Sequence, residues 1–365
     1  MRWERIPISA ESAYAPDLYG PREWTGYAPA GPGVDFLWEY TRLYLMKEPG
    51  RAKCIWRWTK LMRQRGGMLG ITSVRYDGRY GWMVMNDESK STLVVIDPRT
   101  EQTWEIGADA GLPVAEHQET GNLTDRPCLW VEPLEPGRAL LVCWFGRLAL
   151  AIAKFDPSGS SKVEVFHEAR DRLDPRKVSG TWGPNAAVWP DHVLQFRGTQ
   201  ADGRPLRRVL VWRASRSPLV VDPDQRTVDV MPGGPEQGFT IFHNEAAADA
   251  MYDTRGTDLL RFGLPDFRPQ LVCRNVPDGY VVLWGRKFLV MDRQCWLVDP
   301  KAPPPQQVRL VADHVPWPDA GGNMGVPPWF MRSNHYGLVA NYTYLGSREV
   351  CYVFCRAVFE EPADK

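Results

Sequence analysis

The densest group of side chains that could do acid–base chemistry lies in the segment FHNEAAADAMYDTRG. The candidates in it are a histidine, an amide, two of its carboxylates and an arginine: His243, Asn244, Glu245, Asp253 and Arg255. A histidine close to a carboxylate can act as a general acid or base, so these residues are candidates for a binding site. The structural alternative, in which they tie turns and strands together, is favoured because polar networks are common and the set matches no known mechanism.

A further candidate, His335, lies in the stretch RSNHY at a predicted strand junction, and the same two readings apply to it. The six histidines form no HxH or HExxH pattern, and the seven cysteines form no CxxC pair. Metal sites, nucleotide-binding loops and hydrolase elbows need fixed spacings of this kind. The sequence therefore predicts no metal site, no cofactor and no assigned catalytic residue.

The second group of candidate residues is basic and lies within the stretch KCIWRWTKLMRQRGG. Its members are Arg57, Lys60, Arg63 and Arg65, with Arg51 and Lys53 just before them. Such a face could bind an acidic protein partner or a nucleic-acid backbone. The alternative is a solvated face paired locally with acids such as Glu39 and Glu48. The chain has 44 basic and 44 acidic residues, and this zero net charge argues against nucleic acid and membrane surfaces.

The basic residues are expected to lie on a helix. In DFLWEYTRLYLMK, four apolar residues lie one, four, seven and eight positions after Phe36: Leu37, Tyr40, Leu43 and Tyr44. These offsets fit one face of a helix. The sequence EPG would end this helix, and a second helix would end at the following Gly-Gly pair. We therefore expect a helical hairpin over residues 35–67, after an extended Pro-, Gly- and Tyr-rich arm over residues 1–34.

From residue 68 onwards, short apolar runs alternate with turns. Four of these runs end in Asp-Pro and are followed by a second strand: they end at Asp97, Asp156, Asp222 and Asp299. Proline ends a strand, and the preceding aspartate can accept hydrogen bonds from the backbone of the turn. One or two further strands precede each of these hairpins, which predicts four strands per unit. Six units follow, which end near residues 107, 168, 231, 274, 312 and the C-terminus.

The stretch VVIDPRTEQTWEI resembles the hairpin between the third and fourth blade strands of YVTN-like and quinoprotein-like propellers. The Trp-Asp signature of WD40 blades is missing. The resemblance implies a mainly β fold over residues 68–365, a β-propeller of six blades, with five to seven possible. The 16 tryptophans, 32 glycines and 32 prolines agree with strands joined by many turns. The last blade could be completed by residues 355–360, by residues 68–76 or by the arm near residues 3–9.

A repeat scaffold without a recognisable catalytic set favours a non-catalytic protein-interaction scaffold, such as a subunit of a larger bacterial assembly. A protein partner would bind the hairpin or a propeller face. The alternatives are a propeller hydrolase or lyase, or a small-ligand sensor, that uses the central funnel. With no apolar signal segment, no membrane span and unpaired cysteines, the chain is expected to be cytoplasmic.

Overall fold

A computed structural model describes most of the chain, and every structural statement below concerns the residues that it describes. These are residues 2–6, 9–11, 26–39, 41–58, 70–86, 91–113, 128–144, 148–169, 190–200, 202–213, 216–231, 249–292, 294–313, 329–345 and 350–358. Within them the chain forms 28 β-strands and one 3-10 turn at Ala108–Ala110. The strands form seven sheets, which we number from the first to the seventh along the chain.

The chain divides into two compact units. Unit one contains residues 1–8, 196–206 and 240–365, and unit two contains residues 9–195 and 207–239. Each is described by itself.

The first sheet lies in unit two. Its strands are β2 (Ser9–Glu11), β3 (Gly26–Pro29), β4 (Asp35–Trp38), β5 (Arg42–Glu48) and β6 (Arg51–Arg57). Their order in the sheet is β2–β6–β5–β4–β3, and β2 pairs with β6 in parallel while the other pairs are antiparallel.

The predicted helical hairpin over residues 35–67 is wrong. Described residues 35–39 and 41–58 contain strands β4, β5 and β6 and no α-helix. Phe36 and Leu37 are adjacent in sequence and both fully buried, because the two faces of β4 are covered. A run that is apolar on both faces fits a central strand as well as a helix. The EPG sequence forms the turn between β5 and β6, with Gly50 at φ 77°.

The second and third sheets are four-stranded antiparallel meanders. The second contains β7 (Gly70–Tyr76), β8 (Gly81–Asn86), β9 (Ser91–Ile96) and β10 (Thr103–Ile106). The third contains β11 (Cys128–Glu135), β12 (Arg138–Trp144), β13 (Leu148–Lys154) and β14 (Lys162–Glu168). The fourth sheet has the order β15 (Pro190–Thr199), β16 (Pro205–Arg213), β17 (Arg216–Asp222) and β18 (Thr227–Val230).

Alternation along the strands builds a separate core on each face of a sheet. On β8, Trp82 and Val84 pack with the third sheet, whereas Met83 and Met85 pack with the first. Successive side chains point to opposite faces, so a strand between two sheets is apolar at every position. Sheets that cover each other in this way have the meander and the two-sided burial of propeller blades.

Unit one contains the last three sheets. The fifth has three strands, β19 (Ala250–Arg255), β20 (Asp258–Gly263) and β21 (Pro269–Arg274). The sixth has four, β22 (Tyr280–Trp284), β23 (Lys287–Met291), β24 (Cys295–Val298) and β25 (Val308–Ala312). The seventh contains β26 (Trp329–Ser333), β27 (Gly337–Leu345) and β28 (Val350–Val358).

The N-terminal strand β1 (Arg2–Arg5) completes the seventh sheet. It pairs antiparallel with β28, with Arg2 opposite Val358 and Arg5 opposite Cys355. Two nitrogens of Arg356 donate to Glu4 Oε2, at 2.7 and 3.0 Å. Of the three expected closing strands, the structure thus selects the N-terminal arm.

The predicted unit ends agree with the observed strands. The last strands of the second to sixth sheets end at Ile106, Glu168, Val230, Arg274 and Ala312, and β28 ends at Val358. The favoured count of six was one short, because the residues predicted to form helices make a sheet of their own. The four Asp-Pro sequences all lie between the last two strands of a sheet, as expected.

Candidate functional site

The exposed side of β6 is basic. Its exposed residues are Arg51, Lys53 and Arg57, while Ala52 and Trp56 between them are buried. The basic stretch is therefore a strand up to Arg57, and its role as a partner surface stays a prediction. Lys53 is opposite Leu45 and Arg57 is opposite Arg42, with a register shift between these two pairs, and of the three exposed basic residues only Arg51 and Lys53 line the pocket described below.

Two lysines on this side of the sheet meet one carboxylate from the second sheet. Lys47 Nζ donates to Glu101 Oε1 at 2.8 Å, and Lys53 Nζ donates to Glu101 Oε2 at 2.5 Å. These two hydrogen bonds, Lys47 first, hold the pKa of the Glu101 carboxyl below its usual value. Glu101 therefore stays ionised at neutral pH and links the two sheets.

An open pocket of about 230 Å³ lies beside this ion cluster. It is lined by three basic, two acidic and two apolar residues: Lys47, Arg51, Lys53, Glu48, Glu101, Leu45 and Ala52. We call it the basic pocket. Arg51 lies 3.6 Å from Glu48, and both side chains are 71% exposed. An exposed ion pair at this distance contributes little, so the Arg51 guanidinium can turn towards a bound anion.

The turn after Asp97 places Glu101 at the pocket. Arg99 N donates to Asp97 Oδ1 at 2.8 Å, and Glu101 N donates to Asp97 O at 2.7 Å. The chain then reverses through Glu101, whose φ is 62°, and Asp97 N donates to Gln102 O at 2.9 Å. Asp97 is thus a turn-forming residue, as the sequence predicted.

The turn after Asp222 has the same backbone. Asp224 N donates to Asp222 Oδ1 at 3.0 Å, and Arg226, four residues after the aspartate, has a φ of 58°. The Arg226 guanidinium donates to both oxygens of Glu164 on β14, at 2.8 and 3.0 Å. In both turns the residue with positive φ therefore forms an ion pair with the last strand of the preceding sheet.

Several predicted site residues lie outside the described part of the chain. They are His243, Asn244 and Glu245 of the polar segment and Lys60, Arg63 and Arg65 of the basic stretch. Their roles stay predictions. His335 is described and lies in the turn between β26 and β27, with its ring centroid 6.3 Å from that of Tyr336.

The remaining member of the polar segment, Arg255, ends β19. Its Nε lies 3.7 Å from Asp253 Oδ2, and its guanidinium carbon lies 5.1 Å from the ring centroid of Phe262. Burial raises the pKa of Asp253 to about 6, although the charge of Arg255 opposes this. A carboxyl that titrates near neutral pH can donate or accept a proton, which is the property that acid–base chemistry requires.

Thr254, which lies between Asp253 and Arg255, connects the fifth sheet to the segment just before the first strand of the sixth sheet. Thr254 Oγ1 donates to Asp278 Oδ1 at 2.7 Å and accepts from Gly279 N at 3.1 Å. Thr254 therefore has a structural role, whereas the role of the five candidate residues of the polar segment stays a prediction.

Sequence reasoning missed Lys47 and Glu101. Lys47 was hidden because it was assigned to a helix end, and Glu101 because its turn was treated as purely structural. A usable signal was present, since the fourth residue after both Asp97 and Asp222 is charged. The described residues contain no group of three or more side chains placed to hold a metal ion. Nor do they contain a helix that is long and apolar enough to cross a membrane.

No protein-family model and no curated protein sequence matches the chain. Solved structures that match this chain include the Cps50 (Swd1) β-propeller domain of Myceliophteria thermophila, with 10% identity over 93% of this chain and 100% of that chain, and a TM-score of 0.46. The oligogalacturonate lyase of Vibrio parahaemolyticus has 12% identity over 97% and 96% of the two chains, and a TM-score of 0.46. The AfRom2 CNH domain has 9% identity over 99% and 100%, and a TM-score of 0.44. At these identities no residue role transfers to this chain.

Proposed function

We propose that this chain is a β-propeller that acts as a non-catalytic interaction scaffold, and that its basic pocket binds an acidic segment of a partner protein. The observation that carries the proposal is the convergence of Lys47, Arg51 and Lys53 on one open pocket. Carboxylate side chains are the protein groups that complement such a surface, because they accept hydrogen bonds from ammonium and guanidinium groups.

The donors of the pocket support this assignment. A lysine ammonium has three N–H groups, and Lys47 and Lys53 each direct one of them to Glu101. The exposed guanidinium of Arg51 can meet an incoming carboxylate, and the two lysine ammonium groups add positive charge beside it. The apolar side chains of Leu45 and Ala52 in the lining would contact the aliphatic part of a glutamate.

The proposed surface continues along the chain with Lys60, Arg63 and Arg65, which follow β6 in sequence. A series of basic residues would guide an acidic segment by long-range attraction, and the attraction would weaken with salt. The zero net charge of the whole chain makes a nucleic-acid backbone the weaker ligand, because its affinity grows with the number of phosphates neutralised.

Fluorescence anisotropy with the full-length protein tests the proposal. The ligand is a labelled peptide rich in Glu and Asp, and the variant is Arg51→Ala. Among the described residues, the Arg51 side chain forms an ion pair only with the exposed Glu48, so the substitution should weaken binding of the peptide about threefold to fivefold without unfolding the protein. The matched control is Arg268→Ala, another exposed arginine paired with a nearby acid, Asp266. Equal affinities for all three proteins would contradict the proposal.

A second function, a hydrolase, a lyase or a small-ligand sensor, is favoured by a different observation. Asp253, with its pKa raised to about 6, lies next to Arg255 and eight residues after Glu245. If these residues handle a substrate, Asp253→Asn should abolish turnover of any substrate found in a screen of glycosides, esters and uronides. If turnover persists in this variant, Asp253 is not the acid–base group.

A further inference from the structure

We propose that Glu101 is an internal competitor for the basic pocket, which occupies the place where a carboxylate of the acidic partner binds. This inference rests on the proposed function and names the regulation of that site. Its ligand is a glutamate or aspartate side chain of a partner protein.

The geometry of Glu101 is that of a bound ligand. Its two carboxylate oxygens accept from two different lysines, at 2.8 and 2.5 Å, and the group forms part of the pocket wall. A glutamate from a partner would need the same two donors in the same places. Because the Glu101 carboxylate accepts one hydrogen bond from each ammonium group, a ligand can take over these two bonds only when Glu101 leaves.

The backbone at Glu101 is strained. A φ of 62° lies in the left-handed region, which side chains other than glycine, asparagine and aspartate rarely adopt. The glutamate side chain is 24% exposed, so it can swing into solvent without a change in the core.

The turn does not need an acid at this position. Arg226 holds the same place in the turn after Asp222 with nearly the same φ, and it carries the opposite charge. Its partner, Glu164, is accordingly acidic. The charge at this turn position is therefore opposite to that of the side chains it contacts, and the acidic Glu101 pairs with the lysines of the first sheet.

The test is the substitution Glu101→Gly, which removes the carboxylate and relieves the positive φ. The matched control is Arg226→Gly, which removes an ion pair at the equivalent turn position. We expect Glu101→Gly to tighten binding of the acidic peptide about fivefold to tenfold, because two lysines are released and one negative charge is lost. Arg226→Gly should leave binding unchanged. Thermal unfolding of both variants checks that they fold.

The outcomes separate this inference from the proposed function. Unchanged or weaker peptide binding by folded Glu101→Gly overturns the competitor role, while a loss in Arg51→Ala would still support the pocket. If the wild type fails to bind and Glu101→Gly binds, the competitor role is supported. If neither binds, both proposals fail. If Glu101→Gly binds a single-stranded oligonucleotide more tightly than the wild type does, but not the peptide, the inference is also overturned, because the ligand would then be a phosphate backbone.

Discussion

Glu101 and Arg226 hold the same position in two turns of this chain and carry opposite charges. Each lies four residues after the aspartate of an Asp-Pro pair, each has a φ near 60°, and each forms an ion pair with the last strand of the preceding sheet. The repeated turn thus fixes the backbone and leaves the charge free to vary. This variation gives the first and second sheets a basic pocket, whereas the third and fourth sheets share a bidentate arginine–carboxylate pair.

Asp77 should be one of the most costly acidic residues to replace. Its Oδ2 accepts from Trp82 Nε1 at 2.7 Å and from Gly137 N at 2.8 Å, while its Oδ1 accepts from the backbone of Arg79 and Tyr80 at 2.8 and 2.7 Å. It therefore ties the second sheet to the third. Asp77→Ala should lower the free energy of unfolding by about 3 kcal/mol, because the buried Trp82 loses its acceptor. Urea denaturation measures the change.

Asp97→Ala is the control for Asp77. Within the part of the chain that the structure describes, the Asp97 side chain accepts hydrogen bonds only from the backbone of its own turn, at Arg99 and Thr100. We expect Asp97→Ala to lower the free energy of unfolding by about 1 kcal/mol. Equal losses for the two variants would show that the contact between the sheets adds nothing to the stability.

Asp253 should make stability depend on pH between about 4 and 6. Burial raises its pKa from 3.8 to about 6, so the folded protein binds the proton more tightly than the unfolded chain does. The stabilisation from protonation is therefore complete below pH 4, and it is lost as the pH rises through 6. Asp253→Asn should remove this slope and raise the free energy of unfolding at pH 7 by about 3 kcal/mol, since the pKa changes by about two units and one unit corresponds to about 1.4 kcal/mol.

Unfolding curves of the wild type and Asp253→Asn at pH 4, 5, 6 and 7 measure this difference. The two proteins should be equally stable at the lowest pH and diverge above it. A constant difference at all four values would mean that Asp253 does not titrate in this range.

Deletion of residues 1–6 should destabilise the seventh sheet. It removes β1 and leaves the edge of β28 without its partner. An unpaired edge exposes a row of backbone donors and acceptors, so the truncated protein should melt at a lower temperature and aggregate more readily. The comparison variant, Arg356→Ala, removes only the exposed ion pair with Glu4 and should change the stability by less than about 1 kcal/mol. A truncated protein as stable as the wild type would contradict this role of β1.

Sequence reasoning recovered the parts of the fold that turn chemistry controls. The Asp-Pro turns at Asp97, Asp156, Asp222 and Asp299 lie where they were expected, and in each the aspartate accepts from the backbone two residues later. These bonds are local, so a single sequence reveals them. The expected propeller class and the closure of the sheets into a ring stay predictions.

The first sheet was mispredicted because its residues carry two patterns at once. Phe36, Leu37, Leu43 and Tyr44 fit one helical face, yet all four are fully buried in strands covered on both sides. Burial on both faces is decided by neighbouring sheets that are distant in sequence. The same holds for the basic pocket, because Glu101 reaches Lys47 and Lys53 across 54 and 48 residues.

The most direct test of the central claim compares two peptides on the wild-type protein. One is rich in Glu and Asp, and in the other each acid is replaced by its amide. If the basic pocket binds carboxylates, the acidic peptide should bind at least about tenfold more tightly at low salt, and the difference should shrink as salt is added. Equal affinities for the two peptides at low salt would contradict the claim that Lys47, Arg51 and Lys53 form a site for an acidic partner.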